Sequence, residues 1–144
     1  MKKQSWIVVA NSSLARVFRL ENLKLHEMDS LVHAKGRMHG IELTSDKSGE
    51  NRESAGHGNA SLSKQITPKK HEAIVFAKEV AGHLDLARSR GQIDRLFLAA
   101  SPPFLGLLRQ ELNHQTAGMV SVEVDKDITH LLPEQIIEYF PIGL

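Results

Sequence analysis

Residues 122–136 of the sequence, VEVDKDITHLLPEQI, contain a group of side chains whose types could do chemistry. The apolar start of this segment runs directly into Asp125, Lys126 and Asp127, and His130 follows three positions later. Carboxylates, an amine and an imidazole at the end of a strand are used for general acid–base catalysis and for metal binding. The same residue types also form turns and begin helices.

A hydrolytic triad is one reaction centre that these residue types allow. Ser101, His130 and Asp127 would supply its nucleophile, base and orienting acid. However, Ser101 precedes two prolines, where a hydroxyl typically caps a helix, and the chain has no Gly-x-Ser-x-Gly turn to expose a nucleophile. The sequence therefore favours helix capping over catalysis for Ser101.

Metal-dependent chemistry needs more ligands than these residues offer. Asp127 and His130 are only two, and a two-metal nuclease would need carboxylates at several strand ends. The first strand instead ends in Asn11 and two serines, and a later one ends in Ser101. We predict no metal, no cofactor and no nuclease activity. Residues 125–130 are interpreted mainly as the turn into the last helix, with His130 holding that turn to a neighbouring strand end.

Composition and charge narrow the class of protein. The chain has 144 residues, no cysteine and a net charge of +1, which fits a single domain over residues 1–144. The early apolar run WIVVA is too short for a signal peptide or a membrane span, so we expect a cytoplasmic protein. Residues 1–70 carry twelve Lys and Arg against seven Asp and Glu, and residues 71–144 carry six against ten. The basic half favours contact with RNA or another polyanion.

The elements that would position these residues follow from the hydrophobic pattern. Residues 6–10 are typical of a buried strand, and residues 14–22 and 23–33 alternate between apolar and polar side chains. Three consecutive strands with short turns predict an antiparallel meander.

Helices alternate with strands in the second half of the chain. Thr67 and Pro68 predict the start of a helix that Gly91 ends. The remaining predictions are strands over 94–100 and 120–124 and helices over 101–114 and 133–139. The predicted fold is therefore α/β, a ribonuclease H-like mixed sheet in which three antiparallel strands precede helix-strand-helix-strand-helix.

Residues 34–66 interrupt this pattern with a segment rich in glycine, serine and charge. A loop of this length inside a domain is usually functional or disordered, and we predict a flexible loop that contacts a partner. The residues proposed for that contact are Arg37, Lys47, Arg52, Gly56, His57, Gly58, Lys64 and Gln65.

A candidate site follows from the predicted topology. Ligands of open α/β sheets bind at the carboxyl ends of parallel strands. Three predicted strands end there, and a helix N-terminus at Ser101 would favour a small anion. The candidate anion or ligand site consists of Asn11, Ser101, Asp125, Lys126, Asp127 and His130.

Three runs in the sequence carry a family resemblance. They are the Pro-Lys-x-His run at 68–71, the Ala-Ser-Pro-Pro-x-Phe-Leu-Gly run at 99–106 and the Lys-Asp-x-Thr-His run at 126–130. With WIVVANSSLARVF near the start, they resemble the bacterial host attachment proteins, described as required for attachment to host cells. The resemblance covers nearly the whole chain except residues 34–66.

That family is similar to the middle domain of archaeo-eukaryotic release factors and Pelota. In release factors, a Gly-Gly-Gln tip on a long loop promotes peptidyl-tRNA hydrolysis. The matching loop here has Gly56-His57-Gly58 and a separate Gln65, but no Gly-Gly-Gln, and Asn11 stands where the family pattern has an acid.

Three functions remain open at this point. The first is a non-catalytic cytoplasmic binding protein that acts through RNA, the ribosome or a protein of the attachment pathway. The second is a release-factor-like translation or ribosome-rescue factor. The third is a small-anion or nucleotide binder at the strand ends.

Overall fold

The computed structural model describes residues 4–33 and 67–141, which form a mixed sheet with helices on one face and a C-terminal segment on the other. The strands are β1 (Gln4–Ala10), β2 (Leu14–Glu21), β3 (Lys24–Glu27), β4 (Leu31–Val32), β5 (Ile93–Ala100) and β6 (Val120–Val124). The helices are α1 (Pro68–Ser89), α2 (Pro102–Glu111), α3 (His114–Ala117) and α4 (Pro133–Ile136), followed by a 3-10 turn, Ile137–Tyr139.

Strand β1 lies at the centre of the sheet, whose order is β3-β2-β1-β5-β6, with β4 also paired to β2. It pairs antiparallel with β2 and parallel with β5, and β5 pairs parallel with β6. This arrangement confirms the predicted ribonuclease H-like mixed sheet. Residues 34–66, predicted as a flexible loop, lie outside the described residues.

Alternation along β1 divides the core into two layers. Val8 and Ala10 face α1 and α2, whereas Ile7 and Val9 face the C-terminal segment. All four side chains are fully buried. Successive side chains of a strand point to opposite faces, so the run WIVVA contributes to both layers.

Helix α1 covers one face along its length. Its apolar side chains at helical spacing are buried against the sheet: Phe76, Ala77, Val80, Ala81, Leu84 and Ala87. The hydroxyl of Thr67 accepts a hydrogen bond from the Lys70 amide at 3.1 Å, which confirms the predicted N-cap. Gly91, with a φ of 74°, follows the helix end as predicted.

Three predicted elements are divided in the structure. Residues 23–33 form β3 and β4 instead of one strand, because the turn-forming Asp29-Ser30 lies between them. The helix predicted over 101–114 ends at Glu111, because the Asn113 side chain accepts from the Thr116 amide and starts α3. The last predicted helix tightens into a 3-10 turn ahead of Pro141.

None of the helices within 67–141 is both long and apolar enough to cross a membrane.

The hairpin between β2 and β3 contains a strained position. Asn22 and Leu23 form its two-residue turn with φ values of 54° and 63°, and the Leu23 side chain is 63% exposed. Asparagine tolerates this conformation, but a leucine there costs about 1–2 kcal/mol. An exposed leucine recovers little of that cost through burial.

Leu23→Gly should therefore stabilise the protein, by about 1 kcal/mol, because it creates the favoured Asn-Gly turn. Urea unfolding followed by circular dichroism measures the change. Leu23→Ala is the matched control, since alanine removes the same exposed side chain but keeps the unfavourable backbone. Equal stabilities of the glycine and alanine variants would contradict the strain argument.

Candidate functional site

The carboxyl ends of the three parallel strands lie side by side. Ala10 of β1 is in register with Ala100 of β5, and Ala99 of β5 is in register with Val124 of β6. The turns that follow these strands therefore leave the sheet at one edge. The observed strand order therefore agrees with the predicted topology, which placed the candidate residues at this edge.

Two of those residues meet through a hydrogen-bond network. The Asn11 amide group donates to Asp127 Oδ2 at 3.0 Å and to Thr129 Oγ1 at 3.3 Å. The Asn11 side-chain oxygen, Oδ1, accepts hydrogen bonds from the backbone amides of Ser13 and Leu14. Asn11 thus connects the turn after β1 to the turn after β6.

Asp127 forms the second half of this network. Its other oxygen, Oδ1, accepts from the Thr129 amide at 3.0 Å and from the Thr129 hydroxyl at 2.7 Å. Burial raises the pKa of Asp127, but the hydrogen bonds from Thr129 and Asn11 outweigh burial and hold the pKa below its usual 3.8. An ionised, hydrogen-bonded carboxylate is suited to holding a turn and is not a general acid at neutral pH.

Arg16 fixes the same turn from β2. Its guanidinium donates to the carbonyl oxygens of Thr129 at 2.8 Å and Leu131 at 2.7 Å. It also forms a two-pronged pair with Glu27 of β3, at 2.9 and 3.0 Å, and these hydrogen bonds lower the pKa of Glu27. A guanidinium that reaches two carbonyls at once holds this turn to β2, and the same role predicted for His130 stays a prediction.

The other predicted residues are separated. Lys126 lies above the Tyr139 ring, 6.0 Å from its centroid, and the exposed Asp125 and His130 act only as nearby charges on Arg109 and Asp127. Ser101 is on the opposite face of the sheet. It is at the N-cap position of α2, but its side chain makes no cap hydrogen bond, so the predicted capping role is wrong.

A cleft of about 690 Å³ lies where Ser101 is, between the first turns of α1 and α2. Ala73, Phe104 and Leu107 form its apolar part. Its polar lining residues are Ser12, Thr67, Lys69, Lys70, Ser101 and Gln110. Of the six residues predicted for the site, only Ser101 lines this cleft.

The cleft is electrostatically positive. Lys69 and Lys70 stand in the first turn of α1, neither α1 nor α2 has an acid in its first turn, and no described residue that lines the cleft is acidic. Helix N-termini carry a partial positive charge, so lysines there oppose the helix dipole, at a cost of about 0.3–1 kcal/mol each. Two helix starts and two ammonium groups therefore face one cavity.

The sequence pattern placed Lys69 and Lys70 in a helix start and in a run that carries the family resemblance, but not in a candidate site. The available signal was the Pro-Lys-Lys order itself, because an ordinary helix start favours Asp or Glu. Such a departure from the local rule often marks a functional position. The predicted loop contacts, Arg37 to Gln65, lie outside the described residues. Within 4–33 and 67–141, no group of three or more His, Asp or Glu residues could hold a metal ion.

Comparisons with known proteins agree with this fold. A family model described as "Protein required for attachment to host cells" matches residues 6–140. No curated protein matches the sequence significantly. The family predicted from the sequence is therefore confirmed.

Solved structures supply the likeness in fold. An archaeal translation termination factor matches with a TM-score of 0.50 and 10% identity, over 94% of this chain and 37% of that chain. An Aquifex aeolicus PPX-GPPA enzyme matches at 0.41 with 12% identity, over 85% and 35%, and a PilM-PilN type IV pilus biogenesis complex at 0.40 with 15% identity, over 96% and 42%. The chain spans about a third of the termination factor, and at this identity the two share a fold.

Arg16→Ala should destabilise the fold by about 2–4 kcal/mol, because it leaves two turn carbonyls and Glu27 without their donor. Urea unfolding measures the loss. Arg19→Ala, on the same strand, removes a more exposed pair with Glu21 and should cost about 0–1 kcal/mol. Similar losses in the two variants would show that the turn does not depend on Arg16.

Asp127→Asn should cost stability at neutral pH and little at acid pH. Because the folded-state pKa of Asp127 is lowered, its contribution is present above the ordinary carboxyl pKa of 3.8 and is lost as the pH falls through the folded-state value. For this solvent-screened group we expect about 1 kcal/mol. Melting temperatures from pH 3 to 7 test this, with the exposed Asp94→Asn as control; a pH-independent difference would contradict it.

Proposed function

Because the chain belongs to the family of proteins required for attachment to host cells, a description that states a cellular requirement and no reaction, we propose that it is a non-catalytic, cytoplasmic RNA-binding protein. Its cleft between α1 and α2 holds the phosphate backbone of the RNA. The observation that carries this proposal is that the described residues lining the cleft include two lysines and no acid.

The lining chemistry supports an anionic ligand. Ammonium groups, hydroxyls and helix N-termini are the groups that bind phosphate oxygens in proteins. The cleft presents ammonium groups through Lys69 and Lys70 and hydroxyls through Ser12 and Ser101, and it lies at the positive end of the α1 dipole. The first turn of α2 begins with two prolines and offers fewer backbone donors. A neutral sugar would not need this positive charge.

The shape and the flanking sequence favour a polymer over a small phosphate compound. Phe104, the aromatic ring among the described lining residues, is 1% exposed and cannot stack on a base. Residues 34–66, which immediately precede the cleft residues of α1 in sequence, contain the predicted contact residues Arg37, Lys47, Arg52 and Lys64, with five Lys and Arg in all against four Asp and Glu. Binding through phosphates alone predicts weak sequence preference and strong salt dependence.

The opposite face of the sheet supports a non-catalytic role. Both oxygens of the Asp127 carboxylate accept hydrogen bonds from Asn11 or Thr129. In the described part of the chain, no hydrogen bond connects Ser101 with His130. A nucleophile, its base and an orienting acid must be in contact to react, and these residues are not.

A release-factor-like role at the ribosome is the second candidate. Its support is the fold shared with the archaeal translation termination factor. Such a role would depend on Gly56, Gly58 and Gln65, whereas backbone binding would not. Co-sedimentation with ribosomes after substitution of these three residues separates the two candidates. A protein partner in the attachment pathway would instead give binding that is insensitive to ribonuclease.

Lys69→Glu with Lys70→Glu should weaken RNA binding by about tenfold or more and reduce the salt slope of log K by about 1.4, the value for two phosphate contacts on a single strand. Fluorescence anisotropy with a mixed-sequence 12-nucleotide RNA, between 50 and 200 mM salt, measures both. The same double variant should raise the melting temperature, because acids suit a helix N-terminus.

Lys24→Glu with Arg95→Glu is the matched control, since it makes the same charge change at the other end of the sheet. Its affinity should fall far less than that of the cleft variant. Equal losses of RNA affinity in the two double variants would mean that the effect comes from net charge alone. That result would contradict specific binding in the cleft. Absence of RNA binding by the unaltered protein would contradict the proposed function.

A further inference from the structure

A buried histidine lies next to this cleft. His33 follows β4 and is 7% exposed, and its Nε2 lies 2.9 Å from Glu72 Oε1, which is in a residue only 8% exposed. Its Nδ1 lies 3.5 Å from Glu79 Oε1, about two turns further along α1. A histidine buried between two carboxylates is expensive to desolvate, so its position requires a structural or functional reason.

His33 bonds two of the segments that form the walls of the cleft, the β1–β2 turn and the start of α1, through Ser13 and Glu72, which do not line the cavity themselves. Its backbone amide donates to the Ser13 carbonyl at 3.0 Å, in the same turn as Ser12, which lines one wall. Its side chain binds Glu72, which follows Lys69 and Lys70 of the other wall within one helical turn. One residue thus joins the β1–β2 turn to the first turns of α1.

The ring of His33 extends the connection to α2. It stacks on Phe76 with a distance of 5.3 Å between ring centroids, and the centroids of Phe76 and Phe104 are 5.7 Å apart. Phe104 belongs to the first turn of α2 and lines the cleft. Three rings therefore run from the histidine to the apolar part of the cleft, and all three are buried.

We propose that His33 is a positioning residue that holds the two walls of the RNA cleft at their binding separation. The role rests on the proposed function, because it concerns the same cleft. His33 does not line the cavity, so it acts through Ser12, Lys69 and Lys70.

Substitutions that each preserve one ring nitrogen test the proposal. Glutamine places an amide nitrogen near the Nε2 position and keeps a donor for Glu72, whereas asparagine reaches only the Nδ1 position. His33→Gln should bind the 12-nucleotide RNA almost as tightly as the unaltered protein, and His33→Asn and His33→Ala should bind about tenfold more weakly. His26→Ala, an exposed histidine of β3, is the control and should leave affinity unchanged.

Amide hydrogen exchange supplies a readout that needs no ligand. Exchange over residues 67–76 should rise about tenfold in His33→Asn and return to normal in His33→Gln, while exchange in β5 stays unchanged. A purely structural role for His33 would lower global stability without this local pattern or the glutamine rescue.

Each combination of results is decisive. Normal exchange in His33→Asn, or raised exchange with unaltered affinity, would overturn the positioning role. If the unaltered protein binds no RNA and exchange in His33→Asn still rises locally, the proposed function is contradicted. The contact between the two segments would then exist, but the role of His33 in an RNA cleft would also be overturned. If His33→Ala fails to fold, the asparagine and glutamine variants give the answer.

Discussion

Strand β1 is the constraint on which the remaining structure depends, because it is paired on both edges and buried on both faces. Ile7 to Ala10 are fully buried, with β2 on one edge and β5 on the other. Every backbone amide and carbonyl at the centre of such a strand must find its partner in the ladder. The neighbouring strands and both covering layers are consequently arranged around these few residues.

Where β1 and β5 end, polar groups are hydrogen-bonded to one another on one face of the sheet and line an open cleft on the other. On the face of the C-terminal segment, Asn11, Arg16 and Asp127 are joined in hydrogen bonds that hold the last turn. On the helical face, Lys69, Lys70 and Ser101 surround an open cleft. Satisfied polar groups stabilise a structure, whereas positive charge left facing a cavity is available to a ligand.

The cleft also illustrates a conflict between stability and binding. Lysines in the first turn of α1 oppose the helix dipole, so they are a poor choice for helix stability alone. The buried His33–Glu72 pair and the capping hydroxyl of Thr67 offset part of this cost by holding the start of α1 in place.

The sequence by itself determined the order of elements, the mixed sheet and the buried stripe of α1, since these follow from local hydrophobic periods and cap residues. It also indicated that polar residues gather at the carboxyl ends of the parallel strands. Only the tertiary structure decided which of them meet. In the turn after β1, Asn11 bonds Asp127 whereas Ser12 lines the cleft with Lys69 and Lys70, so neighbours in sequence serve different faces. Arg16 and His33 act on partners more than 30 residues away, and no local period carries such information.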